Sequence, residues 1–286
     1  MRTDPGLAVL GESEDNVLTA CVEYAGVMKI AYQTVIAGLR AELDKLDFER
    51  YSLVSFRGKP VMRRGFFPGG NGLFEGENAS RFPVGGTLVL GSNFSAASNF
   101  CHPDGHLICD DETSGRTWLP MRRLFNGAEL DLADCFFTNA WPCLHKGTRN
   151  TLGELISQWL ANPALMRECA EFFAKTCADL KPSMIVALGQ GPAAFLATVW
   201  PRELKQWISN NIEGMDSLPI GVVRIEGVSH RTVCTAVVHP CYQHINAKHR
   251  KLPYRYAAGE IRLVKEADAQ RKLLFRGFTP ENSLGL

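Results

Sequence analysis

The sequence predicts an α/β protein: three α/β/α layers around a central, mainly parallel sheet of about four strands. Two observations carry this. Short apolar runs, Thr87–Gly91, Asp134–Ala140, Ser183–Gly189 and Thr232–Val238, end in glycine or lead into a polar strand end. Segments with helical spacing separate several of them. Unbroken apolar runs suit strands buried on both faces, and the helices between them provide the cover.

In chain order, residues 14–47 read as helical. Val17, Leu18, Cys21, Val22, Ala25, Val27, Met28, Ile30 and Ala31 recur at helical spacing before the charged stretch Arg40–Lys45. Residues 50–86 are rich in Gly, Pro, Phe and Arg, with Pro-Gly-Gly-Asn-Gly at 68–72, and predict an irregular segment with short strands around Ser52–Phe56. Arg57, Lys59, Arg63 and Arg64 suit a second nucleic-acid contact or a loop packed on the sheet. Residues 149–179 predict two helices broken at Asn162-Pro163. Pro192–Trp200 follows the third strand as a helix, Ile220–Glu226 is a further strand-like run, and a last helix covers about 264–275.

Composition removes several classes. The chain has 286 residues, is 45% hydrophobic and has a formal net charge of +1, which fits neither a disordered nor a low-complexity chain. No apolar stretch is long enough for a membrane span, and the first residues carry early acids without a secretory pattern. A cytoplasmic protein is expected. The nine cysteines include no Cys-x-x-Cys pair, and several lie in apolar runs, so reduced buried thiols are expected and a zinc site is not. Charge is polarised: residues 1–50 hold five basic and nine acidic side chains, and residues 241–286 hold nine basic and four acidic. The run Lys248-His249-Arg250-Lys251 reads as a solvated surface or a phosphate-binding patch.

Parallel sheets bind ligands outside the carboxyl ends of their strands. That rule selects Gly91–Phe94, Thr138–Ala140, Gly189–Gln190 and His239–Gln243, with Asn93, Asn139, Gln190 and His239 as polar groups. Each alone also suits a turn or cap. Together they predict one shared site.

The ordered series Leu-Val-Leu-Gly-Ser-Asn-Phe (88–94), Phe-Phe-Thr-Asn-Ala (136–140), Ile-Val-Ala-Leu-Gly (185–189) and Val-Val-His-Pro (237–240) resembles the uracil-DNA glycosylase superfamily over about 87–250. A generic nucleotide-binding domain would share the strands, but the chain has neither a Gly-x-Gly-x-x-Gly nor a Walker lysine loop. The resemblance implies base flipping and cleavage of an N-glycosidic bond, leaving an abasic site.

By that resemblance His239 donates a hydrogen bond to the departing base. Asn93 orients the water, as in the mismatch-specific and single-strand-selective branches; an amide is a poor general base, so leaving-group stabilisation carries the reaction. Phe94 stands where the family has Pro, and Asp104 is a candidate replacement acid. Ser95 takes the place of a tyrosine that blocks the 5-position, which implies tolerance of C5-modified pyrimidines. Phe100 is the expected stacking aromatic, with His102 and His106 as rivals. Asn139 reads the base edge. Tyr242 or Gln243 is the wedge, and Asn246, Lys248 and Arg250 contact phosphates. Cys143 and Cys169 fall where an iron–sulfur branch has two of its four ligands, but the other close pair is absent, so no cluster or other cofactor is expected.

The expected organisation is an extension over 1–86, a glycosylase-like core over 87–250 and a basic C-terminal helix over 251–286. The expected protein is a monomeric DNA glycosylase without an obligate protein partner, acting in repair or on modified viral DNA. The alternatives are a non-cleaving DNA or modified-base binding module and a nucleoside hydrolase.

Overall fold

The computed structural model describes residues 32–57, 65–74, 82–93, 115, 117–146 and 152–275. Its centre is a five-stranded sheet formed by β2 (Thr87–Gly91), β3 (Cys135–Asn139), β5 (Met184–Leu188), β6 (Ile220–Arg224) and β7 (Arg231–Val237). Two further strands, β1 (Leu53–Val54) and β4 (Leu144–His145), make a small antiparallel pair. The main order is β3-β2-β5-β7-β6. The first four of these strands are mutually parallel, and β6 runs antiparallel to β7 at the edge. The expected sheet of about four strands is therefore the parallel part, extended by one antiparallel edge strand.

Side chains leave the strands alternately to two packed layers. Leu88, Leu90, Phe136, Ile185 and Ala187 enter one core; Val89, Phe137, Met184, Val186 and Leu188 enter the other. The first core is covered by α1 (32–43), α3 (Leu152–Leu160), α4 (Pro163–Leu180) and α5 (Gln190–Val199). The second is covered by α2 (Trp118–Gly127) and α8 (Tyr256–Phe275), through Trp118, Met121, Phe125, Val264 and Ala267. This is the three-layer arrangement.

Local chemistry sets the element ends. Asn162 accepts from the Leu165 amide at 3.1 Å and Pro163 opens α4, as its sequence predicts. Asn211 caps the short α6 (Ile212–Ser217) by accepting from the Gly214 amide at 2.7 Å, and a single turn, α7 (Gln243–Asn246), follows the β7 end. The helix predicted over 14–47 is described from residue 32 and stops at 43; its earlier part lies outside the described residues. The C-terminal helix begins at Tyr256, well before the predicted 264.

The boundary at 86 does not separate cores. Ile36, Leu39 and Leu43 of α1 pack in the same cluster as Leu88 and Leu90. Arg40 donates to the carbonyls of Pro68 and Gly70 at 3.2 and 3.0 Å, and its guanidinium lies 5.0 Å from the Phe67 ring centroid. Residues 65–74 flank β3: the Phe67 amide donates to Phe137 O at 2.9 Å, and the Phe137 amide donates to Gly72 O at 2.8 Å. That part of 50–86 is a loop packed on the sheet. Arg57 is exposed, while Lys59, Arg63 and Arg64 lie outside the described residues.

Candidate functional site

The chain passes from β2 to β3 through α2 on one face of the sheet, and from β5 to β7 through α5 on the other. Adjacent strands β2 and β5 therefore send their following helices to opposite faces. This is a topological switch point, where a crevice opens at the carboxyl ends of the strands. Asn93 follows β2, Asn139 ends β3, Gly189 and Gln190 follow β5, and His239 follows β7. All four predicted strand ends lie on this rim.

His239 is held by its own turn. Its Nδ1 accepts from the Cys241 amide at 3.3 Å, and its carbonyl accepts from the Tyr242 amide at 2.8 Å. Since Nδ1 accepts, the single proton of the neutral ring sits on Nε2. Burial lowers the imidazole to about 4, so it is neutral near pH 7. Gly189 makes room for it: its φ is +106°, and a Cβ there would stand 3.3 Å from His239 Cβ. A neutral ring with a fixed Nε2–H can stabilise an oxygen that becomes negative.

Asn139 is buried beside Gly91. A Cβ on Gly91 would fall 2.5 Å from Asn139 Oδ1 and 3.0 Å from Phe66 Cε1, so both positions need a glycine between them. The Asn139 amide has one long bond, Nδ2 to Phe67 O at 3.5 Å. The β2–β3 ladder continues past the strands: the Ala140 amide donates to Gly91 O at 2.9 Å and the Trp141 amide to Ser92 O at 3.0 Å.

At these two strand ends Ser92 Oγ, both amide atoms of Asn93, Thr138 Oγ1 and Trp141 Nε1 are buried without a hydrogen-bond partner among the described residues. Such groups cost about 1–3 kcal/mol each when left unmade. Half of the atoms of this kind among the described residues lie at these two strand ends, so the rim has unmet hydrogen-bonding capacity.

The loop after His239 departs from two expectations. Arg250 does not face phosphate. Its side chain is fully buried, with Nε donating to Asp216 Oδ1 at 2.6 Å and Nη1 to Glu260 Oε1 at 3.3 Å and Ala236 O at 2.9 Å. A guanidinium taken out of water needs these partners, so the most buried cation of the basic run became its anchor. Gln243 is not a free wedge: its Nε2 donates to Glu260 Oε2 at 3.0 Å. Glu260 also accepts from the Val238 amide at 2.7 Å. Burial pushes its carboxyl upward, while the Val238, Gln243 and Arg250 donors pull it down.

Tyr242 remains outward, its ring centroid 6.0 Å from that of His239. Asn246 is half-buried and Lys248 exposed, as surface contacts require. Two residues were missed by sequence reasoning. Ile245 is a second outward apolar side chain on the same loop. Phe66, between Gly91 and Trp118, is an aromatic beside Asn139; nothing in its Gly/Pro-rich segment signals that position. Ser95, Phe100, His102, Asp104 and His106 lie outside the described residues.

Cys143 and Cys169 are buried, and burial raises both thiols, each of which thus stays protonated. Among the described residues, no group of three or more His, Cys, Asp or Glu side chains is placed to hold a metal ion, and no helix is long and apolar enough to cross a membrane. No protein-family model and no curated protein sequence matches the chain.

Proposed function

We propose that this chain is a DNA glycosylase that excises a uracil-like or C5-modified pyrimidine from a flipped nucleotide and leaves an abasic site. The observation that carries the reading is the switch-point rim. It carries a neutral Nε2–H donor after β7 and, at the ends of β2 and β3, the unpartnered amide of Asn93 and the buried Asn139.

The chemistry follows from where charge appears. As the bond from C1′ to the base nitrogen breaks, both electrons go to the base and positive charge remains on the sugar. The base carries its negative charge on the ring nitrogen and an adjacent carbonyl oxygen. His239 Nε2–H donates to that oxygen, keeping its own proton throughout. The Asn139 amide offers a donor and an acceptor to the base edge. Asn93 orients a water whose oxygen joins C1′. One hydrogen of that water stays on the new hydroxyl, and the other leaves as the proton that balances the departing base.

The competing reading is a module that binds an altered base without cleaving it. It draws on position 93, where an amide replaces a carboxylate that could act as base, and on Phe94 in place of the family's proline. One experiment separates them. Oligonucleotides bearing uracil, 5-hydroxymethyluracil or modified cytosines are incubated with the protein and then treated with alkali. Strand breaks at the modified position are expected; tight binding without breaks on any substrate supports the binding module instead.

A further inference from the structure

Residues 239–259 contain no Asp or Glu. In this stretch the surface exposes large apolar side chains: Leu252 at 80%, Tyr256 at 59%, Tyr242 at 55% and Ile245 at 46%. Exposed aromatic and branched groups gathered in one segment are the informative kind of surface. Lys248, Lys251 and Arg255 are exposed among them.

These groups sit on a fixed support. Arg255 Nε donates to Lys248 O at 2.7 Å, and its guanidinium lies 5.5 Å from the Tyr256 ring centroid. The Lys251 amide donates to Asp216 Oδ2 at 2.6 Å, and Arg250 ties the base of the loop to Ala236 of β7. The nearby acids leave the surface positive. Asp216 and Glu260 are buried against Arg250, Glu213 makes only an exposed pair with Lys251 at 3.9 Å, and Glu266, which accepts from Tyr254 Oη at 2.7 Å, is balanced by Arg262. The first turn of α8 carries no acid, so the positive end of its dipole adds to the field.

We propose that Lys248–Tyr256 is a stacking and phosphate-binding platform for single-stranded nucleic acid. Tyr256 and Leu252 cover unpaired bases, while Lys248, Lys251 and Arg255 meet the backbone. A duplex hides its base faces and offers these apolar groups nothing to cover. The inference rests on the glycosylase reading and deepens it by naming the state of the strand beside the flipped nucleotide.

The test is fluorescence anisotropy with unmodified oligo(dT) of about 12 nucleotides, a length within the usual single-strand site sizes. The wild type should bind it more tightly than a duplex of the same length. Tyr256→Ala should weaken the single-strand complex by about tenfold, and Tyr256→Phe should restore it. Lys248→Gln with Lys251→Gln should flatten the salt dependence by about 0.7 per lost phosphate contact. Equal affinity of Tyr256→Ala and wild type, preference for duplex, or binding to anionic lipid vesicles without binding to oligo(dT) would overturn the platform. Excision by wild type together with an indifferent Tyr256→Ala rejects the platform and keeps the glycosylase. A Tyr256-dependent oligo(dT) complex without any excision does the reverse.

Discussion

The two halves of the rim differ in how far their polar groups are paired: among the described residues one buried atom of the loop after β7, Arg250 Nη2, lacks a partner, against five at the ends of β2 and β3. At the end of β7, the chain is fastened. Glu260 holds the Val238 amide and the Gln243 side chain, Arg250 reaches back to Ala236 O, and Asp216 takes both Arg250 and the Lys251 amide. At the ends of β2 and β3, Ser92, Asn93, Thr138 and Trp141 keep buried polar atoms without partners among the described residues. The first half fixes a donor, His239, before any ligand arrives. The second leaves its buried polar groups unpaired by the described residues. Preorganisation on one side and unmet hydrogen bonds on the other is what a site needs if it is to bind a polar ring and stabilise charge on it.

The largest effect on this contrast should come from Arg250. Arg250→Ala leaves Asp216 and Glu260 buried without their cation, so unfolding in urea should show a loss of about 3–5 kcal/mol. Had Arg250 met phosphate, the same change would lower DNA affinity and leave stability nearly untouched. Asn139→Ala should act on recognition: excision from a mixture of modified bases should fall by about tenfold and lose its selectivity, in the range expected for one base-edge contact.

Asn93→Ala sharpens the comparison further. Neither amide atom has a partner to lose among the described residues, so stability should stay the same or rise, while base release falls by about tenfold as water positioning is lost. A drop in stability as large as that of Arg250→Ala would show that the two halves are alike. The smallest effect is on pH. The folded pKa of His239 is lowered by burial to about 4, below the usual 6.5, so the neutral ring favours the folded state. That contribution is full above about pH 6.5 and shrinks as pH falls toward 4. Wild type should lose stability between pH 7 and pH 5, and His239→Gln should lose less over the same interval.

Strands and their ends were legible because burial on both faces writes an unbroken apolar run, and the glycine or polar residue after it marks the exit. Asn162-Pro163 was legible for the same local reason. Direction was not: the apolar pattern of Ile220–Arg224 is the same whether the strand pairs parallel or antiparallel, and it pairs antiparallel. Helix α2 was hidden by Pro120 and the charged pair Arg122-Arg123 inside its short apolar pattern. Arg250 could not be told from Lys248 or Lys251 because its partners, Asp216 34 residues before it and Glu260 ten residues after it, follow no local spacing rule and only the fold brings them together. Phe66 reaches Asn139 through a loop that carries no periodicity at all.

The central claim is that the His239 Nε2–H stabilises a departing base. Single-turnover release of free base from a uracil-containing oligonucleotide, followed by chromatography, tests it most directly. The wild type should release the base, and His239→Ala should do so at a rate lower by about 10²–10³-fold, the usual cost of losing one donor to developing charge. Equal rates for the two proteins, or an intact oligonucleotide with the wild type across uracil and C5-modified substrates, would contradict it.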